Sequence, residues 1–233
     1  MTDRTIWCLG MYGSASTWLF NVVAQVQALS QTGMPLSHFF SGGEGFDSFG
    51  RENTVDLVKS HEISDEATIV ELASRAMVIF ITVRDPRDAV VSLMLARSHT
   101  FDRALHFVGQ SARLCKEFSA DSRVRLFNYE TEFFNDMRTV TLVASHLGYG
   151  ITDEAAQHIF AATSRPEVEK HIANMHKKTG VLRDKLSGDL LDPQTQWHTH
   201  HAGRSGETGR WRHVLTPQQA LEVEAKVPYF LPK

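Results

Sequence analysis

Two basic residues end an apolar stretch and could do acid–base chemistry. Lys59 and His61 follow Val55-Asp56-Leu57-Val58 and are two positions apart. In an extended strand such residues point to the same side, so both side chains would face one site. A lysine there can neutralise charge on a leaving group, and a histidine can take a proton from an incoming hydroxyl. A polar strand end exposed to water would have the same composition.

An arginine and a serine at a defined spacing suggest an anion site. Arg84 follows the unbroken apolar stretch 76–83, Pro86 suits the first turn of a helix, and Ser92 comes eight residues after Arg84. An arginine at the carboxyl end of a buried parallel strand faces the free amides of the next helix, and together they can bind an anion. A salt-bridged turn over residues 84–88 would explain the same sequence.

A loop of small residues follows the first apolar stretch, residues 5–10. It contains Gly13, Ser14, Ala15, Ser16 and Thr17, and the apolar residues after it have helical spacing. A strand, loop and helix of this kind can wrap backbone amides around a phosphate, with serine and threonine hydroxyls added at the helix start. The loop is not a Walker motif, because Gly-Lys-Ser and Gly-Lys-Thr are absent.

Two segments near the C-terminus also contain possible ligand-binding residues. The basic, glycine-containing loop 204–212 could close over an anion, although a solvated linker would look similar. His198, His200 and His201 could bind zinc, but a metal site needs ligands that converge in three dimensions and a supporting second shell. We expect instead that this loop is either polar surface or lines the acceptor pocket, where His198 or His201 could hydrogen-bond the substrate, and we predict no metal.

The elements that must position these residues alternate along the chain. The patterns predict strands near 4–10, 55–60, 76–83 and 123–129, and helices near 16–30, 65–75, 87–97, 102–119, 135–147, 152–163 and 216–226. This alternation predicts an α/β fold, a parallel β-sheet flanked by helices on both faces, with binding at the carboxyl ends of the strands. Segments 32–54 and 176–210 are predicted to be irregular and to set substrate specificity.

Composition limits the classes of function. The 233 residues suffice for one domain over 1–233, and the formal charge of −3 gives no basic field, so we expect no nucleic-acid partner. No apolar run approaches the length of a membrane span, so we expect no membrane partner. The two cysteines are far apart, which favours free thiols and a cytoplasmic location.

The motifs, in this order, resemble those of sulfotransferases that use 3′-phosphoadenosine 5′-phosphosulfate (PAPS) as sulfuryl donor. The resemblance implies a soluble, bacterial-type member with the P-loop-like fold of that family. It implies that the loop Gly13, Ser14, Ala15, Ser16 and Thr17 holds the 5′-phosphosulfate and that Trp18 packs on the adenine. It also implies that His61 is the catalytic base, with Lys59 as the second catalytic residue.

The same resemblance assigns the remaining donor-binding residues. Arg84 and Ser92 match the element that binds the 3′-phosphate, with its eight-residue spacing intact. Tyr129, in the stretch 126–130, matches a tyrosine near the adenine, and Thr163 matches a residue that contacts the nucleotide. The loop that covers the 3′-phosphate corresponds to residues that include Arg204, Ser205 and Gly206.

The clearest departure from the family is Gly13, which occupies the position of a lysine or arginine in the family's loop. That residue stabilises the bridging oxygen as the sulfuryl group leaves, and losing one such donor has cost about 10² to 10³ in rate elsewhere. We therefore expect Lys59 to supply the positive charge. If the site is instead short of a cation, Gly13→Lys should raise turnover or donor affinity.

The resemblance implies transfer of a sulfuryl group from PAPS to a hydroxyl or amine of a small-molecule or glycan acceptor, without a metal. Two alternatives stay open. One is a P-loop-like nucleotide kinase or phosphotransferase, and the other is a non-catalytic nucleotide-binding protein on the same fold. The identity of the acceptor and the oligomeric state do not follow from the sequence.

Overall fold

A five-stranded parallel sheet forms the centre of the computed structural model, which describes residues 5–30, 36–40, 54–183, 188–201 and 207–227. The strand order is β2-β3-β1-β4-β5, and every neighbouring pair is parallel. The strands are β1 (Thr5–Gly10), β2 (Leu36–Phe40), β3 (Val55–Ser60), β4 (Ala76–Val83) and β5 (Val124–Asn128). The predicted α/β architecture is confirmed.

The predicted helices are all present within a few residues of their expected bounds. They are α1 (Ser16–Ala28), α2 (Glu66–Arg75), α3 (Pro86–Arg97), α4 (Phe101–Phe118), α5 (Arg138–His146), α6 (Asp153–Ala162) and α9 (Pro217–Lys226). Two further helices, α7 (Arg165–Ala173) and α8 (Trp211–Val214), were not predicted. The prediction of irregular segments was also partly wrong, because β2 lies in the first of them and a small antiparallel pair, β6 (Leu182–Arg183) and β7 (Leu190–Leu191), lies in the second.

Helices cover both faces of the sheet because its strands are apolar on both sides. In β1, Trp7 and Leu9 pack in one core with α3 and α4, whereas Ile6 and Cys8 pack in the opposite core with α1 and α5. The stripe Leu105, Val108, Ala112 and Cys115 on α4 is part of the buried core.

Both cysteines, Cys8 and Cys115, are buried and unpaired, as predicted. In the part of the chain that the structure describes, no helix combines the length and the apolar character needed to cross a bilayer.

Candidate active site

A cavity of about 730 Å³ opens at the carboxyl edge of the sheet. From β1 the chain builds β2 and β3 on one side of that strand and then crosses over to build β4 and β5 on the other side. Such a reversal of strand order creates a ligand crevice in open α/β sheets. The cavity brings together most of the residues singled out from the sequence. Those in its wall are Gly13, Ala15, Ser16, Thr17, Trp18, Lys59, His61, Arg84, Ser92 and Tyr129.

The loop after β1 is shaped to present backbone amides to the cavity. Gly13 and Ala15 both have left-handed backbone conformations, with φ of 69° and 61°. The first bond within α1 is donated by the Leu19 amide to the Ala15 carbonyl, at 3.1 Å, so the amides of residues 16–18 precede the helical ladder. Free amides at the start of a helix form an anion site, and the hydroxyls of Ser16 and Thr17 lie in the same wall.

Two residues predicted to touch the donor do not line this cavity. The Ser14 hydroxyl is fully buried and donates to the Met11 carbonyl at 2.6 Å, with Thr82 Oγ1 2.7 Å away. The Thr163 hydroxyl donates to carbonyls of its own helix, at 3.0 Å and 3.2 Å. Both residues therefore support the site. The Ser14 side chain connects the loop to β4. The Thr163 backbone carbonyl accepts a hydrogen bond from Trp18 Nε1 at 3.0 Å.

Lys59 is an unusual lysine because it is only 3% exposed. Its Nζ lies 5.8 Å from the centre of the Phe40 ring, and among the described residues no carboxylate pairs with it. Burial, together with the nearby positive charge of Arg97, lowers the pKa of Lys59 to about 7. An anion bound beside Lys59 would favour the charged form of this amine.

His61 has the geometry of a general base. Its Nδ1 donates to the Gly10 carbonyl at 2.7 Å, which leaves the lone pair on Nε2. Tyr12 stacks on the ring with a centroid separation of 4.3 Å and fixes its orientation. Burial and then the charge of Lys59 hold the pKa of His61 well below its usual range, so the ring is neutral at physiological pH.

Arg84 links the two loops that flank the cavity. Nη1 donates to the Gly13 carbonyl and Nη2 to the Glu207 carbonyl, both at 2.9 Å, while the guanidinium stacks on Tyr129 at 4.1 Å. Its Nε is buried and has no partner among the described residues. An unpaired buried donor is costly unless a ligand supplies an acceptor, so this N–H points to an anion site.

The salt-bridged turn weighed for this segment also forms, but it involves a different arginine. Arg87 Nη2 pairs with Asp85 Oδ2 at 2.6 Å, and Arg87 Nη1 contacts Glu224 at 2.5 Å. Asp85 also accepts from the Arg87 amide at 2.9 Å, and Pro86 occupies the first turn of α3. Because Asp85 holds Arg87, Arg84 is free to contact the loop after β1.

Gly13 has a different role from the one expected of a missing cation. A Cβ at this position would lie 2.9 Å from Ser92 Oγ and 3.6 Å from Arg84 Nη1. The loop, Ser92 and Arg84 therefore meet at Gly13, in a backbone conformation that favours glycine. A lysine side chain here would start between Ser92 and Arg84, the residues predicted to hold the 3′-phosphate, so it would crowd both of them.

We therefore expect Gly13→Lys to reduce nucleotide affinity about tenfold or more rather than raise turnover, and to lower the free energy of unfolding by about 1–2 kcal/mol through backbone strain. Gly13→Ala should show most of both effects. Gly150→Ala is the matched control, because a Cβ there meets nothing within 4 Å. Calorimetric titration and thermal unfolding measure the two quantities, and a gain of turnover in Gly13→Lys would contradict this account.

A buried carboxylate fixes the C-terminal loop over the cavity. Asp88, on α3, accepts from the Gly209 amide at 2.5 Å and from the Trp211 amide at 3.0 Å. Glu207 and Arg210 contribute to the cavity wall. The predicted donor-binding residues of this loop, Arg204, Ser205 and Gly206, lie outside the described residues.

The cavity also contains polar residues that sequence reasoning did not assign. Tyr12 donates to Glu62 Oε1 at 2.7 Å, while Glu62 Oε2 is buried without a partner among the described residues, and burial raises the pKa of Glu62. Arg97, in the last turn of α3, lines the same wall. Asp88 and Arg97 lie on the same helix as Ser92, so a search along α3 could have found them.

The histidine-containing loop also lines the cavity, through His198, His200 and His201. Burial lowers the pKa of His198 to about 3, so this ring is neutral at physiological pH. Asp189 accepts hydrogen bonds from His198 and His200, a contact that no sequence pattern indicated.

Solved structures with this architecture are known. The chain is similar to the mouse sulfotransferase SULT7A1 complexed with PAP, with a TM-score of 0.66 and 17% identity over 97% of this chain and 82% of that chain. The chain has the sulfotransferase fold. A retinol dehydratase in complex with retinol and PAP gives a TM-score of 0.64 at 12% identity, over 100% of this chain and 84% of that chain.

The same type of enzyme with androsterone and the inactive cofactor PAP gives a TM-score of 0.62 at 12% identity, over 97% of this chain and 80% of that chain. No protein-family model matches this sulfotransferase-fold chain, and no curated protein matches its sequence.

Proposed function

We propose that this protein transfers a sulfuryl group from PAPS to a hydroxyl or amine of an acceptor. The observation that carries the proposal is that Lys59, a buried amine with no carboxylate partner among the described residues, and His61, a neutral histidine, share one cavity wall. Arg84 Nε, which has no partner in the described part of the chain, and the amides in the first turn of α1 add a donor-binding end to the same cavity. The PAP bound in similar solved structures supports PAPS as the donor.

Each of these residues has a separate role in the proposed transfer. His61 Nε2 takes the proton of the acceptor O–H or N–H while the acceptor atom forms its bond to sulfur. The bond between sulfur and the bridging oxygen of the donor breaks, and the electron pair stays on that oxygen. Lys59 and the amides of residues 16–18 stabilise the negative charge on the departing phosphate.

Donor selection depends on the other end of the cavity. Arg84 and Ser92, brought together at Gly13, would hold the 3′-phosphate and so distinguish PAPS from ATP. Tyr129 lies beneath the Arg84 guanidinium, and the Thr163 carbonyl holds Trp18. In the proposed complex both aromatic rings would pack against the nucleotide.

The proposal is tested by titrating PAP (3′,5′-adenosine bisphosphate), AMP and ATP into the protein without metal. We expect PAP to bind at least about tenfold more tightly than AMP, because charge-assisted bonds to the 3′-phosphate each contribute about 1.5–3 kcal/mol. Release of PAP from PAPS in the presence of hydroxyl and amine compounds then tests transfer. Equal affinity for PAP and AMP together with tighter binding of ATP would overturn the proposal in favour of a kinase.

Replacing Arg84 should change the preference for PAP and not only the affinity. The guanidinium also holds the Gly13 and Glu207 carbonyls, so Arg84→Ala will weaken AMP binding as well. We expect the ratio of PAP to AMP affinity to fall at least about tenfold. Arg113→Ala, which removes an exposed arginine of α4 outside the cavity wall, is the matched control and should leave the ratio unchanged. An unchanged ratio in Arg84→Ala would make Arg84 purely structural.

A further inference from the structure

Three ligand-type side chains meet in the loop that forms one wall of the cavity. His198 Nδ1 and His200 Nδ1 donate to the same oxygen, Asp189 Oδ2, at 3.0 Å and 2.6 Å. All three possible ligand atoms lie within 4.8 Å of one another. The three side chains are half-buried, so the cluster is not a chance meeting of exposed groups.

The carboxylate is held in place by groups that would not be ligands. Asp189 Oδ1 accepts from the Thr199 hydroxyl, and from the His200 amide at 3.3 Å. The Thr199 hydroxyl oxygen in turn accepts from the Leu190 amide at 3.1 Å. Such outer contacts orient ligating side chains in metal sites, so this cluster has the second shell that a loop of histidines alone would lack.

We propose that Asp189, His198 and His200 bind one divalent transition-metal ion through Asp189 Oδ2 and the Nδ1 atoms of the two imidazoles. Two imidazole nitrogens and one carboxylate suit Zn²⁺ and related ions. Bonds of about 2.0–2.2 Å to a tetrahedral ion place the ligand atoms about 3.3 Å apart, so small movements from the observed positions admit the ion. Each imidazole then carries its proton on Nε2 instead of Nδ1, with no net change of charge.

The proposal departs from the expectations drawn from the sequence in two respects, because no metal was predicted for this loop and because the ligand set differs. The sequence pointed to three histidines, but His201 Nδ1 accepts from the His198 amide at 3.1 Å and is not placed as a ligand. Asp189 takes the third position, nine residues before His198. Three protein ligands leave coordination positions open, which is the arrangement of catalytic rather than structural metal sites.

The site lies in the wall shared with Lys59 and His61. If the proposed sulfuryl transfer is correct, an open coordination position facing this cavity would take an oxygen of the acceptor. This consequence rests on the proposed function, whereas metal binding itself does not. The two are separable, because the ion is titrated in the absence of any nucleotide or acceptor.

The experiment uses the untagged, full-length protein after treatment with a chelator. Calorimetric titration with Zn²⁺ alone should show one saturable site, and elemental analysis after gel filtration should find one bound ion per chain. Asp189→Asn and His200→Ala should each weaken binding by about 100-fold. His158→Ala, which removes an exposed histidine of α6 outside the cavity wall, is the matched control and should leave binding unchanged.

Folding of each variant is checked by thermal unfolding and by its affinity for PAP. Asp189→Asn keeps the size of the side chain, so it guards against a loss of binding caused by an unfolded loop. The proposal is overturned if no saturable Zn²⁺ site is found, or if Asp189→Asn and His200→Ala bind the ion as tightly as the native chain. The second result would mean that the cluster is a hydrogen-bond network only.

Discussion

Replacing His61 with alanine should lower kcat by about 10² to 10⁴ while leaving the affinity for PAP near that of the native protein. The reason is that the two ring nitrogens of His61 have different roles. Nδ1 is committed to the Gly10 carbonyl and Nε2 carries the lone pair, so the side chain can accept a proton and cannot donate one to the nucleotide from Nε2. Turnover with saturating PAPS and an accepted hydroxyl compound measures the effect.

A second variant separates chemistry from positioning. His61→Asn places an amide N–H where Nδ1 donates to Gly10, but it cannot take a proton. We therefore expect His61→Asn to be as slow as His61→Ala. A near-native rate in either variant would remove His61 from the proton transfer, and recovery in His61→Asn alone would show that His61 only positions the loop.

The pH dependence of kcat/KM provides an independent check on the same residue. A base must be deprotonated to act, so activity is lost as the pH falls through the pKa of His61. Burial and Lys59 hold this pKa well below the ordinary value of 6.5. Activity should therefore persist at pH values where an exposed histidine would already be charged.

Much of the fold could be predicted because its strands are apolar on both faces and its helices have clear periodicity. The stretch 76–83 is uniformly apolar, as a central parallel strand requires, and it forms β4. β2 escaped prediction because it is a short, half-buried edge strand that lacks this signal. α7 was missed although Pro166 in its first turn is a helix-start signal, because only Val168 and Ile172 form its buried side and the apolar periodicity is weak.

The sequence predicted most of the residues that line the cavity, and it did so most directly where position on a strand decides the direction of the side chain. Lys59 and His61 share a side because residues two apart on a strand must, and both line the cavity. Ser14 lies in a loop without such a rule, and its hydroxyl turned to the sheet. Asp189 and His200 are eleven residues apart without periodicity, so only the folded loop brings them together.

The sequence could also not show that Gly13 is a point of close approach. From the motif alone, a glycine in place of a lysine looks like a lost charge. The structure shows that the space next to Gly13 is occupied by Ser92 and Arg84. The absence of a side chain is therefore what allows the loop and α3 to meet.

Lys59→Met should abolish most activity and at the same time stabilise the protein. Removing the cation from the leaving-group side should lower kcat at least as much as removing the base, by about 10² or more. The native chain, however, holds this charge in a buried place without a carboxylate partner among the described residues. Methionine has a similar length and no charge to desolvate, so the free energy of unfolding should rise at neutral pH.

The sign of the pH dependence follows from the pKa of Lys59, which burial lowers from an ordinary value of 10.5 to about 7. Between these pH values the unfolded chain binds a proton that the folded chain does not, so native stability rises with pH. The loss of native stability caused by burying the Lys59 amine is largest at and below pH 7, where it is on the order of 4 kcal/mol. Lys59→Met should therefore raise Tm by roughly 5 °C or more at pH 7, and the difference should shrink towards pH 10.

Thermal unfolding across this pH range, with Lys177→Met as the exposed control, measures the stability effect, and the control should shift Tm by less than about 1 °C. Nucleotide binding provides the second measurement. Because an anion favours the charged amine, PAP binding near pH 8 should take up protons in the native chain and fewer in Lys59→Met, which calorimetry in buffers of different ionisation enthalpy detects. If Lys59→Met kept its turnover and its proton uptake, Lys59 would not face the leaving group, and the catalytic assignment would fail even if the stability gain were observed.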